Sequence, residues 1–229
     1  MFLGVFIKFG EKEHLLQLQN EGLIYCNTFE YFTKCENSEQ YDPNENTTSI
    51  AQGNTCKLII NGYEINAESG LVNVILKSKK LNHKKFTHLF SMFCRLQNDT
   101  FESNNQNFFD NRLKKFGEYM LVIYNPFEFM KRLKYTLDKL SETKKIEYAE
   151  TKRIEYIDFN TYNGEIEAFR KSDKYKHQSE WRLAIQNQNY NKPFKFNIGS
   201  IQDISTLMPT NKCKNIITKN KDGKNIIEF

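Results

Sequence analysis

The sequence lacks long apolar runs and clustered cysteines. No stretch of about 18 apolar residues occurs, and the opening, MFLGVFIKFGEKEH, is too short and too quickly charged for a cleavable signal peptide. We therefore expect a cytoplasmic protein without a membrane partner. The five cysteines are odd in number, lie far apart and form no CxxC pair, so neither a disulfide framework nor a zinc knuckle is indicated.

Motifs for metals and nucleotide phosphates are missing as well. The four histidines have no HxH or HxxxH spacing, so we expect no metal. Neither GxGxxG nor GxxxxGK[ST] occurs, which leaves Rossmann and P-loop folds without support. With 39% apolar and 14% aromatic residues and no hinge-like segment, the 229 residues predict a single domain over 1–229.

Local patterns predict mixed α and β structure. A strand is expected over 2–9, followed by a helix that begins at Glu11 and ends at Gly22, and by a strand that turns helical within 23–32. Further strands are expected over 71–78, 85–96, 118–125, 152–159 and 180–187, a hairpin at Asn61-Gly62, a short helix over 108–116 and a long one over 125–142. Because the strands come in runs, we predict an α+β fold with a mainly antiparallel sheet and two or three flanking helices.

Two segments are strongly polar. Residues 33–55 have no apolar period, which predicts a long loop that is either functional or mobile. Within that loop, Asp42 and Glu45 either bind a cation or belong to a solvated turn, and the intervening proline favours the turn. Residues 210–229 form a basic segment that contributes to the net charge of +5. This charge favours polyanions such as nucleic acid, although a solvated surface explains it too.

The most informative segment is FRKSDKYKHQSEWRL, residues 169–183. If a strand begins near residue 180, Gln178, Glu180 and Arg182 share one face, because side chains repeat every second residue. They then form either a solvated ladder with an ordinary ion pair or a site in which one carboxylate is held in place. Lys171, interleaved with aromatics and further lysines, suits contact with a nucleic-acid strand or a solvated loop with Tyr175 packed on the core.

The order of motifs resembles that of ADP-ribosyltransferases. In that family the first strand carries a basic residue for NAD, a central strand carries a serine, and a late strand carries Glu-x-Glu or Gln-x-Glu. Lys8, Ser91 and the pair Gln178 and Glu180 match these motifs in order, although the family has Arg or His where this chain has Lys8. The resemblance implies an ADP-ribosyltransferase-like fold, with NAD as substrate.

A second resemblance is to an uncharacterised family of bacterial and phage proteins, some of them linked to abortive infection. The matching residues, in order, are Phe169, Lys171, Tyr175, Glu180, Trp181 and Arg182. This resemblance implies an effector of toxin or anti-phage defence type that modifies nucleic acid or protein, with a cognate antitoxin or sensor as a possible partner. The alternative is a non-catalytic module that binds nucleic acid or a phage protein; a metal-dependent nuclease using Asp42 and Glu45 is a third.

The transferase resemblance implies roles for particular residues. A preorganised carboxylate stabilises the oxocarbenium ion that develops when the bond between nicotinamide and ribose breaks, and Glu180 is expected to supply it. Gln178 would orient the incoming nucleophile; since an amide is no base, an arginine target is less expected than an amide, hydroxyl or nucleobase. The residues expected to bind NAD are Lys8, Phe9, Phe29, Tyr31 and Ser91, and those expected to bind the second substrate are Lys171, Tyr175 and Arg182.

Overall fold

The structure is a computed structural model. It describes residues 4–36, 39–45, 47–66, 75–78, 86–96, 99, 108–189, 191–215, 217–221 and 224–228. The α-helices of this part of the chain are α1 (Lys12–Glu21), α2 (Phe29–Phe32) and α3 (Pro126–Glu142). In chain order the strands are β1 (Gly4–Gly10), β2 (Leu23–Thr28), β3 (Ser49–Gln52), β4 (Leu58–Ile60), β5 (Tyr63–Ile65), β6 (Ile75–Ser78), β7 (His88–Leu96), β8 (Tyr119–Ile123), β9 (Tyr148–Arg153), β10 (Glu155–Ile157), β11 (Gly164–Glu165), β12 (Arg170–Ser172), β13 (Glu180–Gln186), β14 (Phe194–Asn197), β15 (Ser205–Pro209), β16 (Ile217–Lys221) and β17 (Lys224–Glu228).

Eight of these strands form the main sheet. Six run in the order β14-β2-β7-β1-β8-β15, while β13 also pairs with β7, and β9 pairs with β13. Small sheets of two or three strands hold the others. Every strand pairing among the described residues is antiparallel except that of β10 with β12. The prediction of an α+β chain with mainly antiparallel sheet is therefore confirmed.

The sheet forks at β7. Because β13 occupies one edge of β7 over residues 88–93, both β1 and β2 must pair with the other edge. β1 pairs with residues 93–96 and β2 with residues 88–89. In the part of the chain that the structure describes, no strand pairs with residues 90–92 on that edge. The two strands therefore diverge, and α1 connects them across the opening.

The two faces of the sheet bury separate apolar clusters. On one face Phe6 packs against Trp181, with ring centroids 4.9 Å apart, and against Phe129 of α3. On the other face Ile7 lies with Phe109 and their neighbours. Alternation along β1 thus directs successive side chains into different layers, as expected for a strand at the centre of a sheet.

Several local signals predict their elements correctly. Gly22 ends α1 in the left-handed region, with φ 66°, and a Cβ there would lie only 2.0 Å from the carbonyl oxygen of Gly199. Asn61 and Gly62 have φ values of 51° and 84°, which form the two-residue turn between β4 and β5. Asn125 caps α3 by accepting a hydrogen bond from the backbone of Glu128.

Other expectations are corrected. The predicted loop 33–55 contains β3, whose pairing with β6 and β11 depends on residues far along the chain, and a 3₁₀ turn over Gly53–Thr55. The helix expected over 108–116 is a 3₁₀ segment, Asn111–Phe116, and the strand expected over 152–159 divides between β9 and β10. Residues 2–3 and 71–74 of the predicted strands lie outside the described residues.

No helix among the described residues is long and apolar enough to cross a membrane.

Candidate active-site cleft

A cleft of about 560 Å³ lies at the fork between β1 and β2. Its wall includes residues 7–11 of β1 and the turn after it, and residues 89–93 of β7. Eight of the ten residues predicted from the sequence line it: Lys8, Phe9, Tyr31, Ser91, Lys171, Gln178, Glu180 and Arg182. The fork thus brings together residues that are up to 174 positions apart in the chain, a span taken from Lys8 to Arg182.

Glu180, the first residue of β13, is the charged centre of the cleft. Its side chain is 8% exposed; Oε1 accepts hydrogen bonds from Arg182, with 2.9 Å to Nε, and Oε2 lies 3.3 Å from Nζ of Lys171. The hydroxyl of Ser91 also donates to this carboxylate. Burial opposes ionisation, but the two positive charges and the hydrogen bonds outweigh it and lower the pKa of Glu180 to about 2. The group is therefore a carboxylate anion at neutral pH.

Lys8 lies where β1 separates from β7. β1 pairs with β7 only as far as Ile7, and the next side chain, Lys8, donates from Nζ to the backbone oxygen of Ser91 at 2.6 Å. The ammonium is also 4.6 Å from the ring centroid of Phe90. Burial lowers the pKa of Lys8 to about 8, although the charge of Glu180 acts in the opposite direction. Lys8 thus satisfies a carbonyl in the unpaired stretch of β7 and places a positive charge in the cleft.

Lys171 connects Gln178 with Glu180. Its Nζ donates to Oε1 of Gln178 at 2.9 Å as well as to Glu180, and the residue is only 6% exposed. The other end of the Gln178 amide donates to the backbone oxygen of Glu39 at 2.8 Å. The orientation of the Gln178 side chain is therefore fixed at both ends.

Arg182 is held between two carboxylates. Its guanidinium bonds Glu180 on one side and Glu45 on the other, with 2.5 Å from Nη1 to Oε1 of Glu45, and it also donates to the backbone oxygen of Ala168. Only 2% of the Arg182 side chain is exposed. A planar guanidinium fixes two acceptors at once, so Glu45 and Arg182 together set the position of Glu180.

Phe29 and Tyr175, the remaining predicted residues, do not line the cleft. Phe29 is buried in a cluster with Phe86 and Leu89, so it cannot stack on a nicotinamide ring. Tyr175 is 8% exposed, and its hydroxyl donates a hydrogen bond to the backbone oxygen of Tyr41. It contacts the site through Lys171, whose Nζ lies 4.7 Å from its ring centroid.

The strand argument for Gln178 also needs correction. Gln178 ends a 3₁₀ segment, Asp173–Gln178, and Ser179 adopts a left-handed conformation with φ 40° before β13 begins. Gln178 and Glu180 meet because both bond Lys171, and not because they alternate along one strand. Nor does Lys171 belong to a solvated basic stretch, since it is buried while Lys174 and Lys176 are exposed.

The role of the polar loop 33–55 in forming the cleft was not predicted from the sequence. Glu39 and Glu45 both line the cleft, although the sequence indicates only Glu45, as a cation ligand or as part of a solvated turn. The solvated turn does not describe the structure: Asp42 is 2% exposed and the Glu45 side chain 5%, and Glu45 bonds Arg182. Among the described residues, no three His, Cys, Asp or Glu side chains lie together as a metal site. No sequence signal marks Glu39.

The arrangement suits the stabilisation of positive charge. A buried carboxylate that stays ionised and is fixed by several hydrogen bonds stabilises a positive charge that develops in front of it.

Comparison with models of protein families, with curated proteins and with solved structures finds no match for this chain. The geometry of the cleft therefore carries the functional argument.

Proposed function

We propose that the protein is an ADP-ribosyltransferase-like enzyme that breaks the bond between nicotinamide and ribose in NAD at the forked cleft. The observation that carries the proposal is the convergence of Lys8, Ser91, Gln178 and Glu180 on one cleft, with Ser91 donating to the Glu180 carboxylate. These residues lie on three separate segments of the chain, so no local pattern brings them together.

The residues present fit such a substrate. The cleft volume, about 560 Å³, lies within the range of roughly 300–1,000 Å³ typical of small-molecule sites. Lys8 supplies a positive charge for a phosphate, and Tyr31, which is 43% exposed at the cleft, offers a ring on which a planar heterocycle can stack. Glu180 stabilises the positive charge that develops on the ribose as the nicotinamide departs.

In this reaction each polar residue has one task. Arg182 and Lys171 hold the Glu180 carboxylate ionised and in place, and Ser91 fixes its orientation. Gln178 is held between Lys171 and the Glu39 backbone, and its amide orients the incoming nucleophile at the wall of the cleft. We propose that the protein acts in the cell as an effector of toxin or anti-phage type and that its target is nucleic acid or protein.

The alternative, a non-catalytic module with a basic binding face, has less support. That face requires Lys171 to be accessible, and Lys171 is buried against Glu180 and Gln178. The exposed lysines at 174 and 176 remain available for such contacts.

The decisive experiment measures nicotinamide released from NAD by the purified protein. We expect Glu180→Gln to lower the rate at least ~100-fold, because the substitution removes the preorganised charge and keeps the shape. Glu150→Gln is the matched control, since Glu150 lies on the neighbouring strand β9 and is paired with Lys152, outside the cleft. If the unmodified protein releases no nicotinamide, alone or with cell extract, and NAD does not raise its melting temperature, the proposal is wrong.

A further inference from the structure

Glu39 places a second carboxylate in the wall of the cleft. Its side chain is 11% exposed; Oε2 lies 3.0 Å from Nε2 of His177, and Oε1 lies 3.3 Å from Nζ of Lys115. The backbone oxygen of the same residue accepts the hydrogen bond from Gln178. The main chain of Glu39 thus lies beside the Gln178 amide, and its carboxylate contacts the side chains of His177 and Lys115.

The other carboxylates that line the described cleft have different surroundings from Glu39. Glu180 and Glu45 both bond the buried guanidinium of Arg182, whereas one partner of Glu39, Lys115, is 61% exposed and is screened by water. Glu11 lies exposed just before α1, where water surrounds it. Glu39 combines a largely buried carboxylate with a place next to Gln178, which itself has no basic group.

We propose that Glu39 is the general base that activates the acceptor, and that the acceptor is an O–H group. This inference rests on the proposed function. The acceptor oxygen forms a bond to the ribose C1′, while the bond from C1′ to the nicotinamide nitrogen breaks and its electron pair returns to the ring, which leaves as neutral nicotinamide. The hydroxyl proton passes to the Glu39 carboxylate. A carboxylate base helps an O–H nucleophile because the oxygen must lose its proton to leave a neutral product.

Azide rescue of Glu39→Ala tests this role. The substitution keeps the contact with Gln178, since that contact uses the backbone oxygen of residue 39. We expect nicotinamide release from NAD to fall ~100-fold or more, the lower end of general-base effects. Sodium azide, an anion that needs no base, should restore the release and give ADP-ribosyl azide, identified by its mass. Glu30→Gln is the control, since Glu30 is an exposed glutamate of α2 outside the cleft lining.

The outcomes separate the two proposals. Wild-type release of nicotinamide with an unchanged rate in Glu39→Ala would overturn the role of Glu39 alone. So would a loss of rate that azide does not restore, because a merely structural defect gives that result. If the alanine variant does not fold, judged by its thermal unfolding, Glu39→Gln is measured in its place. Absence of release from the wild type overturns the proposed function, and this inference with it.

Discussion

The charge of Glu180 stabilises the folded chain, and this stabilisation should disappear in acid. The pKa of the carboxyl group is lowered from 4.5 to about 2 in the folded protein, because the charges of Arg182 and Lys171 outweigh its burial. A group whose pKa is depressed on folding stabilises the fold above its unfolded pKa. The contribution is therefore complete above about pH 4.5 and is lost as the pH falls towards 2.

The magnitude follows from the same two values. The difference between 4.5 and about 2, at about 1.4 kcal/mol per pH unit, corresponds to about 3 to 4 kcal/mol. We expect Glu180→Gln to lower the free energy of unfolding by this amount at pH 7, since glutamine cannot carry the charge. Loss of one partner from a buried ion pair costs a similar 3–5 kcal/mol or so.

Urea denaturation at pH 7, 5 and 3 measures the effect. Trp181 is the single tryptophan, is 3% exposed and follows Glu180 directly, so its fluorescence reports unfolding at the site itself. The difference between wild type and Glu180→Gln should be nearly full at pH 5 and should shrink by at least half at pH 3. A difference that stays constant from pH 7 to pH 3, or is absent at pH 7, would refute the assignment of a charged, paired Glu180. Glu150→Gln provides the control, with a small difference throughout.

Two further predictions concern stability. Lys171→Met should lower the free energy of unfolding by about 2 kcal/mol or more, because it breaks a buried pair, whereas Lys174→Met, at an exposed position, should change it by less than about 0.5 kcal/mol; equal effects in urea denaturation would contradict the burial of Lys171. Gly22→Ala should cost at least about 2 kcal/mol, since a left-handed residue there also meets the Gly199 carbonyl, while Gly62→Ala, in open space, should cost about 1 kcal/mol. A Gly22→Ala variant as stable as the Gly62→Ala variant would show that no close approach exists.

Elements with local signals were predictable from the sequence. Gly22 marks the end of α1, Asn125 and Pro126 mark the start of α3, and Asn61-Gly62 marks a hairpin, because each of these residues acts on its own backbone. β3 was missed because only Ile50 of its four residues is buried, and because its partners β6 and β11 lie far along the chain. Such a strand has no alternating pattern of its own.

The candidate site was predictable only in the part that the sequence motifs contain. The sequence motifs indicate Lys8, Ser91 and Glu180, and these residues line one cleft in the structure. Glu39 and Glu45 were not recognised as part of that cleft, because a polar loop gives no sign of which carboxylate turns inward. Their positions are set by Gln178 and Arg182, more than 130 residues later in the chain.

The position of β13 within the sheet has a consequence for synthesis of the chain. This strand lies between β7 and β9, so it is an interior strand, and it carries both Glu180 and the core tryptophan. A nascent chain that ends before residue 170 therefore has a gap in its sheet and lacks the carboxylate and both of the cations that hold it. Whatever chemistry the cleft performs must wait until the ribosome has made the chain as far as Arg182.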